Sequence, residues 1–424
     1  MTYNVNSLMR LRVKAEPHAS FAVDMTSSMT SWVDIPVREG SLTMTTEQPT
    51  KNPELSYPDM YLSEREIRLQ KRGRLSFEVT LHTPDTVAAS GITAAQTPVG
   101  YLLGIAMDGE NIAFGATIDT VYEDWQFDLN EDYNNMEPGA AIGRVYNGIL
   151  EVREITQYNK SLKGIKQIYS ETPSESDVIY ACRTYYLDGH VPSDIRSLQA
   201  VVEGYDYGSK EDSWVYSGGQ IDNPIKVTVK NGEIPSIGCD WIFADWDNGD
   251  DKEYRPSVDG MQLATYTQNN DLCVLDSEIR IDEIGSTAAL NTYHIDDFRV
   301  DLGVMFVPVM GPGGTNGIIH YRMDVTKPPV RCEITLPYED QSFYDYMKSE
   351  TSLYIAYQIG RTLASGSIMI SIPTAQVVGV NRVDMNGIMG QRVTFIGRDD
   401  EDTVLTQDSD NYGLARSPFR IHIF

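Results

Sequence analysis

Apolar and polar residues alternate one by one along most of the chain, while the i, i+3, i+4 spacing of an amphipathic helix is confined to a few short stretches. This pattern predicts a mainly β protein. In RLSFEVTLH, Leu75, Phe77, Val79 and Leu81 share one face; in PIKVTVK, Ile225, Val227 and Val229 do the same; Ile279, Ile281 and Ile284 mark a third such run. Alternation of this kind fits antiparallel strands with one face on a core and the other in water. Asn231-Gly232 follows the second run, and both residues tolerate positive φ, so a two-residue hairpin turn is expected within 224–238. Further strands are expected at 149–157, 198–207, 296–308, 317–325, 329–336, 351–359, 366–372, 375–381 and 391–397, which makes the last third almost continuous sheet.

Two short helices interrupt this pattern. Pro337 opens YEDQSFYDYMKSE, in which Asp340 is the expected N-cap and Phe343, Tyr346 and Met347 share a face. Val99–Met107 follows Thr97 and Pro98 and carries a stripe of Tyr101, Leu102, Ile105 and Ala106. Stretches rich in Gly, Pro, Asn, Asp or Ser at 40–58, 84–98, 128–140, 245–260, 308–317 and 398–413 read as breaks. The expected fold class is an antiparallel β-sandwich or barrel with short inserted helices and extended loops. It divides into an N-terminal segment with an extended arm (1–58), a first β unit with an insertion (59–215) and a second β unit (216–424). One helix between strands in each half suggests an internal duplication; one composite domain is the alternative.

Charge narrows the functional classes. Acidic residues outnumber basic ones 61 to 34, a net charge of −27 with a pI near 4.5, which argues against sequence-specific nucleic-acid binding through a basic surface. The 41% hydrophobic content argues against extended disorder. Cys182, Cys239, Cys273 and Cys332 show no CxxC spacing, so reduced, mostly buried thiols and folding in a cytosol are expected. Residues 1–12 lack the apolar core of a signal peptide and no stretch reaches membrane-spanning length, so neither secretion by that route nor a membrane association is expected.

Candidate chemistry is sparse. Asp245, Asp247, Asp250, Asp251 and Glu253 crowd one stretch and Asp399 to Asp402 another, yet such runs are the ordinary signature of a solvated acidic surface. As a calcium loop, DWDNGDD puts Gly249 at the fifth position instead of the sixth. The six histidines show neither HxH nor HExxH spacing, and GPGG at 311–314 suits a hairpin loop better than a phosphate cradle. Tyrosines, 25 in number, fit a sugar-binding face or, more commonly, packing and subunit contacts.

Four passages taken in order resemble the tail tube proteins of long-tailed bacteriophages. They are GGQIDNPIKVTVKNGEIPSIGCDW at 218–241, DSEIRIDEI at 276–284, PVRCEITLPYEDQSFYDYM at 329–347, and GSIMISIPTAQVVGVNRVDMNGIMGQRVTFIGRDD at 366–400. In the first half, REIRLQKRGRLSFEVTLHTPDTVAASG followed by TPVGYLLGIAMDG is similar to the early strand and short helix of that family. The resemblance is one of pattern and order, covering most of the chain from about residue 60 onward. It implies a structural protein of the virion tail, assembled in the host cytoplasm, with no active site and no cofactor. Its inner sheet would join those of neighbouring copies into a ring, of six chains or of three if each is duplicated, and rings would stack into a hollow tube. Tape measure and tail terminator proteins would be partners, and DNA would pass without specific binding. Under this resemblance Val330, Ile334, Ile368, Ile370 and Val393 are candidate subunit-interface positions, with Pro49 and Pro53, beside Pro58, in an inter-ring arm. Asp245, Asp247, Asp250, Asp251, Asp399 and Asp400 are candidates for an acidic lumen that repels phosphate. The competing expectations are a carbohydrate-binding or glycan-cleaving β protein, and a capsid or neck protein.

Overall fold

The computed structural model describes residues 9–16, 22, 32–48, 50–51, 67–68, 71–84, 87–130, 135–159, 162–166, 169–187, 196–206, 209–222, 225–249, 272, 276–284, 292–303, 306–323, 330–339, 341–385, 387–400 and 412–424. In chain order the first elements are β1 (Met9–Glu16), β2 (Val33–Ile35), β3 (Thr43–Glu47), β4 (Thr50–Lys51), β5 (Ile67–Arg68), β6 (Arg72–Thr80), α1 (Pro98–Ala106) and β7 (Asp108–Ile112). A closed barrel follows, built from β8 (Ala116–Glu123), β9 (Gln126–Leu129), β10 (Ala141–Tyr146), β11 (Ile149–Asn159), β12 (Leu162–Ile165) and β13 (Val178–Ala181). The chain then returns to the main body through β14 (Arg183–Leu187), β15 (Ser197–Asp206), β16 (Ser209–Ile221), β17 (Ile225–Lys230) and β18 (Ser236–Gly249). Next come β19 (Ser277–Glu283), β20 (Thr292–Tyr293), β21 (Asp297–Leu302), β22 (Phe306–Thr315), β23 (Ile318–Met323) and β24 (Val330–Pro337). The last elements are α2 (Ser342–Ser349), β25 (Ser352–Thr362), β26 (Gly366–Met385), β27 (Ile388–Arg398), α3 (Tyr412–Arg416) and β28 (Arg420–Ile423). The fold is antiparallel β with few helices, as the alternation implies.

Hydrogen-bonded neighbours trace one long layer in the order β3-β6-β18-β17-β21-β24-β27-β26. A second layer runs β20-β19-β25-β26-β28-β14-β7, so β26 belongs to both. Its first half pairs with β25 and β28, its second half with β27, and a register shift between Val377 and Gly379 marks the bend. The C-terminal half of β18 carries a further run, β16-β15-β1-β2. Between the layers lies one hydrophobic core that includes Leu75, Phe77, Trp241, Val227, Phe298, Ile334, Val393 and Ile370, the inward-facing set of each strand.

Helices α1 and α2 cover this core. The Thr97 hydroxyl accepts the Gly100 amide at 3.0 Å and Pro98 occupies the first turn, so α1 starts where the sequence signals it. In α2, Phe343 enters the core, 5.5 Å from the Tyr293 ring and 6.1 Å from that of Phe395, and Tyr346 and Met347 pack half-buried beside it, as the expected apolar face requires. Its cap position is Gln341, which makes no side-chain cap bond, and the expected cap, Asp340, lies outside the described residues.

Three local expectations are corrected. The 224–238 hairpin exists, but its connection spans 231–235, because Pro235 cannot donate to the ladder and pairing resumes at Ser236 opposite Thr228. The 245–260 break begins later, since β18 continues through Asp245 and Asp247 to Gly249. The glycine-rich 308–317 stretch is the hairpin β22-β23, turning at Asn316-Gly317, where both residues have positive φ.

Candidate functional site

The long layer has an internal repeat. Its first four strands, β3-β6-β18-β17, and its last four, β21-β24-β27-β26, each follow the spatial order first, second, fourth, third of their own chain order. A helix lies between the second and third strands of each block, α1 in one and α2 in the other. Each block also opens a long excursion between its first and second strands, 48–71 and 303–329. The blocks join by antiparallel pairing of β17 with β21, from Ile225 opposite Leu302 to Lys230 opposite Asp297.

This arrangement leaves two edges. Among the described residues, β3 pairs only with β6, and β26 from Val378 to Met385 pairs only with β27. Strand directions alternate across the whole layer, so the β26 edge and the β3 edge are antiparallel-compatible, in the same sense in which β17 pairs with β21. Natural monomers guard such edges with lysine, proline or bulges. β3 reads Thr-Met-Thr-Thr-Glu, is largely exposed, and has none of these.

One face of the layer is the core face; the other is open. Cross-strand charges dominate the open face at the block junction: Lys226 lies opposite Asp301 and Lys230 opposite Asp297. Arg299 sits 2.9 Å from Asp297 and Arg331 3.0 Å from Glu333.

The sequence-predicted residues fall as follows. Val330, Ile334 and Val393 point into the core, and β24 has both edges filled, by β21 and β27. Ile368 and Ile370 are fully buried in the half of β26 that lies between β25 and β28. These five side chains are core, and the backbone beside them is already paired within the chain, so they are corrected from interface to interior positions. Pro49, Pro53, Pro58, Asp250, Asp251 and Glu253 lie outside the described residues. Asp245 is half-buried opposite Ser217 and 3.8 Å from Lys71, whose ammonium also sits over the Trp246 ring; Asp247 and Asp399 are exposed.

Asp400 is fully buried and presents no charge to a surface, which removes it from the candidate lumen residues. Its carboxylate pairs with Arg420 at 2.8 Å and Lys166 at 3.1 Å. Arg420 also reaches Glu154 at 3.3 Å, which lies 2.9 Å from His422 and accepts the Ser371 hydroxyl. Burial alone would raise the Glu154 carboxyl, but Arg420 and the His422 hydrogen bond overcome it and hold it near 2. Burial lowers His422, against the pull of Glu154. This cluster ties β11 of the barrel to β26 and β28 of the body; it is enclosed, and each charge in it has a partner.

Sequence reasoning missed the two edges. The available signals were the unguarded threonines of β3 and the polar run Gly379 to Asp384 on an otherwise apolar strand. Cys182, Cys239 and Cys332 are buried free thiols; burial pushes Cys182 and Cys239 up to about 12, where they are poor nucleophiles. Among the described residues no group of three or more His, Cys, Asp or Glu is placed to hold a metal ion, and no helix is long and apolar enough to cross a membrane. No protein-family model and no curated protein matches the chain.

Proposed function

We propose that this chain is a self-assembling structural subunit of the bacteriophage tail-tube type, which closes into rings by sheet continuation and stacks them into a hollow tube that conducts DNA. The observation that carries this is the continuous layer ending in two compatible, unpaired edges. Pairing the β26 edge of one copy with β3 of the next gives a head-to-tail contact that repeats until the ring closes, and closure leaves neither end of the long layer exposed. The repeated strand order supports the alternative in which three chains take the place of six. Tape measure and terminator proteins of the virion tail are the partners such a tube implies, and no cofactor or catalytic step enters. A carbohydrate-binding or glycan-cleaving role has no distinguishing observation here, and a neck protein would stop at a single ring.

The edges provide the test. Backbone N–H groups alternate sides along a strand, so of Thr45 and Thr46 one donates toward β6 and the other toward the open edge. Thr45→Pro and Thr46→Pro should therefore behave differently: one destabilises the monomer, and the other leaves melting within about 1 kcal/mol of wild type while abolishing rings in electron micrographs. Normal rings from both variants would rule out β3 as the joint.

A further inference from the structure

We infer that the open face of the long layer is a weak, salt-screened contact surface for duplex DNA, cationic in a protein that is otherwise strongly acidic. The inference rests on the tube assembly proposed above, which supplies the duplex and brings it to this face. When a layered sheet closes into a ring, the bulkier layer takes the larger, outer circumference. The core side of the long layer carries the second layer and both helices, so the open side is the one that turns inward.

The charge on that open side differs from the charge of the whole. Its carboxylates at the block junction are neutralised in place: Asp301 lies between Lys226 and Arg331, and Asp297 and Glu333 both neighbour Arg299. On β6, Glu78 is paired with Arg38 at 3.1 Å. The cations continue past their partners. Arg392 lies opposite Thr335 on one side and Asn381 on the other, and Arg398 lies opposite Thr374 and hydrogen-bonds Gln376. Both arginines are exposed, and among the described residues neither has a carboxylate partner. Asp240, opposite Ser76, and Glu47, opposite Arg72, also lie on this side, so its described cations exceed its carboxylates only slightly, in a chain whose net charge is −27. At about 0.1 M salt, charges more than roughly 10 Å away are screened, so a duplex against this face responds to its local cations. Two exposed guanidiniums per chain give contacts that are individually weak and easily released, which suits a surface along which DNA slides.

The test measures binding of a labelled DNA duplex of about 20 base pairs to the dispersed, folded chain, by fluorescence anisotropy across a salt series from about 0.1 M upward, where the −27 charge of the rest of the chain is screened. Wild type should bind at low salt and release as salt rises. The double variant R392Q/R398Q should lower the slope of log affinity against log salt by about 2, whereas K348Q/R361Q, equal in charge but on α2 and β25, should leave it unchanged. Absence of low-salt binding by wild type, or an equal loss in both variants, would overturn the inference. Rings are scored separately in micrographs of the wild-type protein, so a failure to form rings would count against the tube assembly and leave the measured affinity of the face as it stands.

Discussion

Glu16 shows how burial can make one carboxylate govern stability near neutral pH. It closes β1, where Oε2 accepts the Ser197 hydroxyl at 2.5 Å and the Gly218 amide at 3.0 Å, while Oε1 is buried without a partner. Burial raises its pKa from 4.5 to about 7, and the hydrogen bonds from Ser197 and Gly218 offset only part of that. The folded state thus retains a proton that the unfolded chain releases, and stability falls as pH rises from about 4.5 to about 7. Glu16→Gln removes the titration. It should stabilise the protein at pH 8 by up to about 3 kcal/mol and make little difference near pH 4, as read by denaturant unfolding. The Glu154 cluster has the opposite sign. With its pKa held near 2, Glu154 contributes stability above the unfolded value that is lost as pH falls from about 4.5 toward 2. Arg420→Met would strand Asp400 and Glu154 in the interior with Lys166 as the remaining strong cation, and should cost about 3 to 5 kcal/mol at pH 7.

Elements were legible where one face is apolar and the other polar, and obscure where pairing partners override composition. Alternation located β6, β17, β19 and β24, and Thr97-Pro98 located α1, because these signals are local. Pro373 splits β26 into two expected strands, yet the strand is continuous: a register shift between Leu353 and Ile355 accommodates the proline against β25. Asp245, Trp246 and Asp247 look like loop, but β16 supplies partners from Ser217 to Val215 and Lys71 supplies charge. The barrel went unrecognised as a unit because its closure depends on β8 meeting β13, a pairing remote in sequence. Its seat on the body combines a small apolar cluster, in which Leu150 and Val152 meet Ala356 and Met369, with a polar knot: Gln358 of β25 donates to the Leu150 carbonyl at 2.6 Å and accepts from Arg280 at 2.7 Å and from the Val152 amide at 3.3 Å. Gln358→Ala leaves these buried groups unmet and should cost about 1 to 3 kcal/mol, with amide exchange accelerated first in β11.

For the molecule as a whole, two four-strand blocks with one order and one helix each form a layer whose two end strands have, among the described residues, no further strand paired to them. Within the chain, β17 joining β21 shows how one block accepts the next. Between chains, the β26 edge joining β3 would be the same joint made again. The interface residues expected from sequence are core: apolar strand positions such as Ile334 and Val393 advertise an interior, whereas the edges proposed to assemble are polar and resemble ordinary surface. The most direct measurement is an electron cryomicroscopy reconstruction of the purified protein at a resolution that traces strands. The account predicts closed rings in which residues 378–385 of each copy run antiparallel beside residues 43–47 of the next, with the Arg392 side of the layer facing the lumen. Particles that remain single chains, or rings in which both edges stay in solvent, would contradict it.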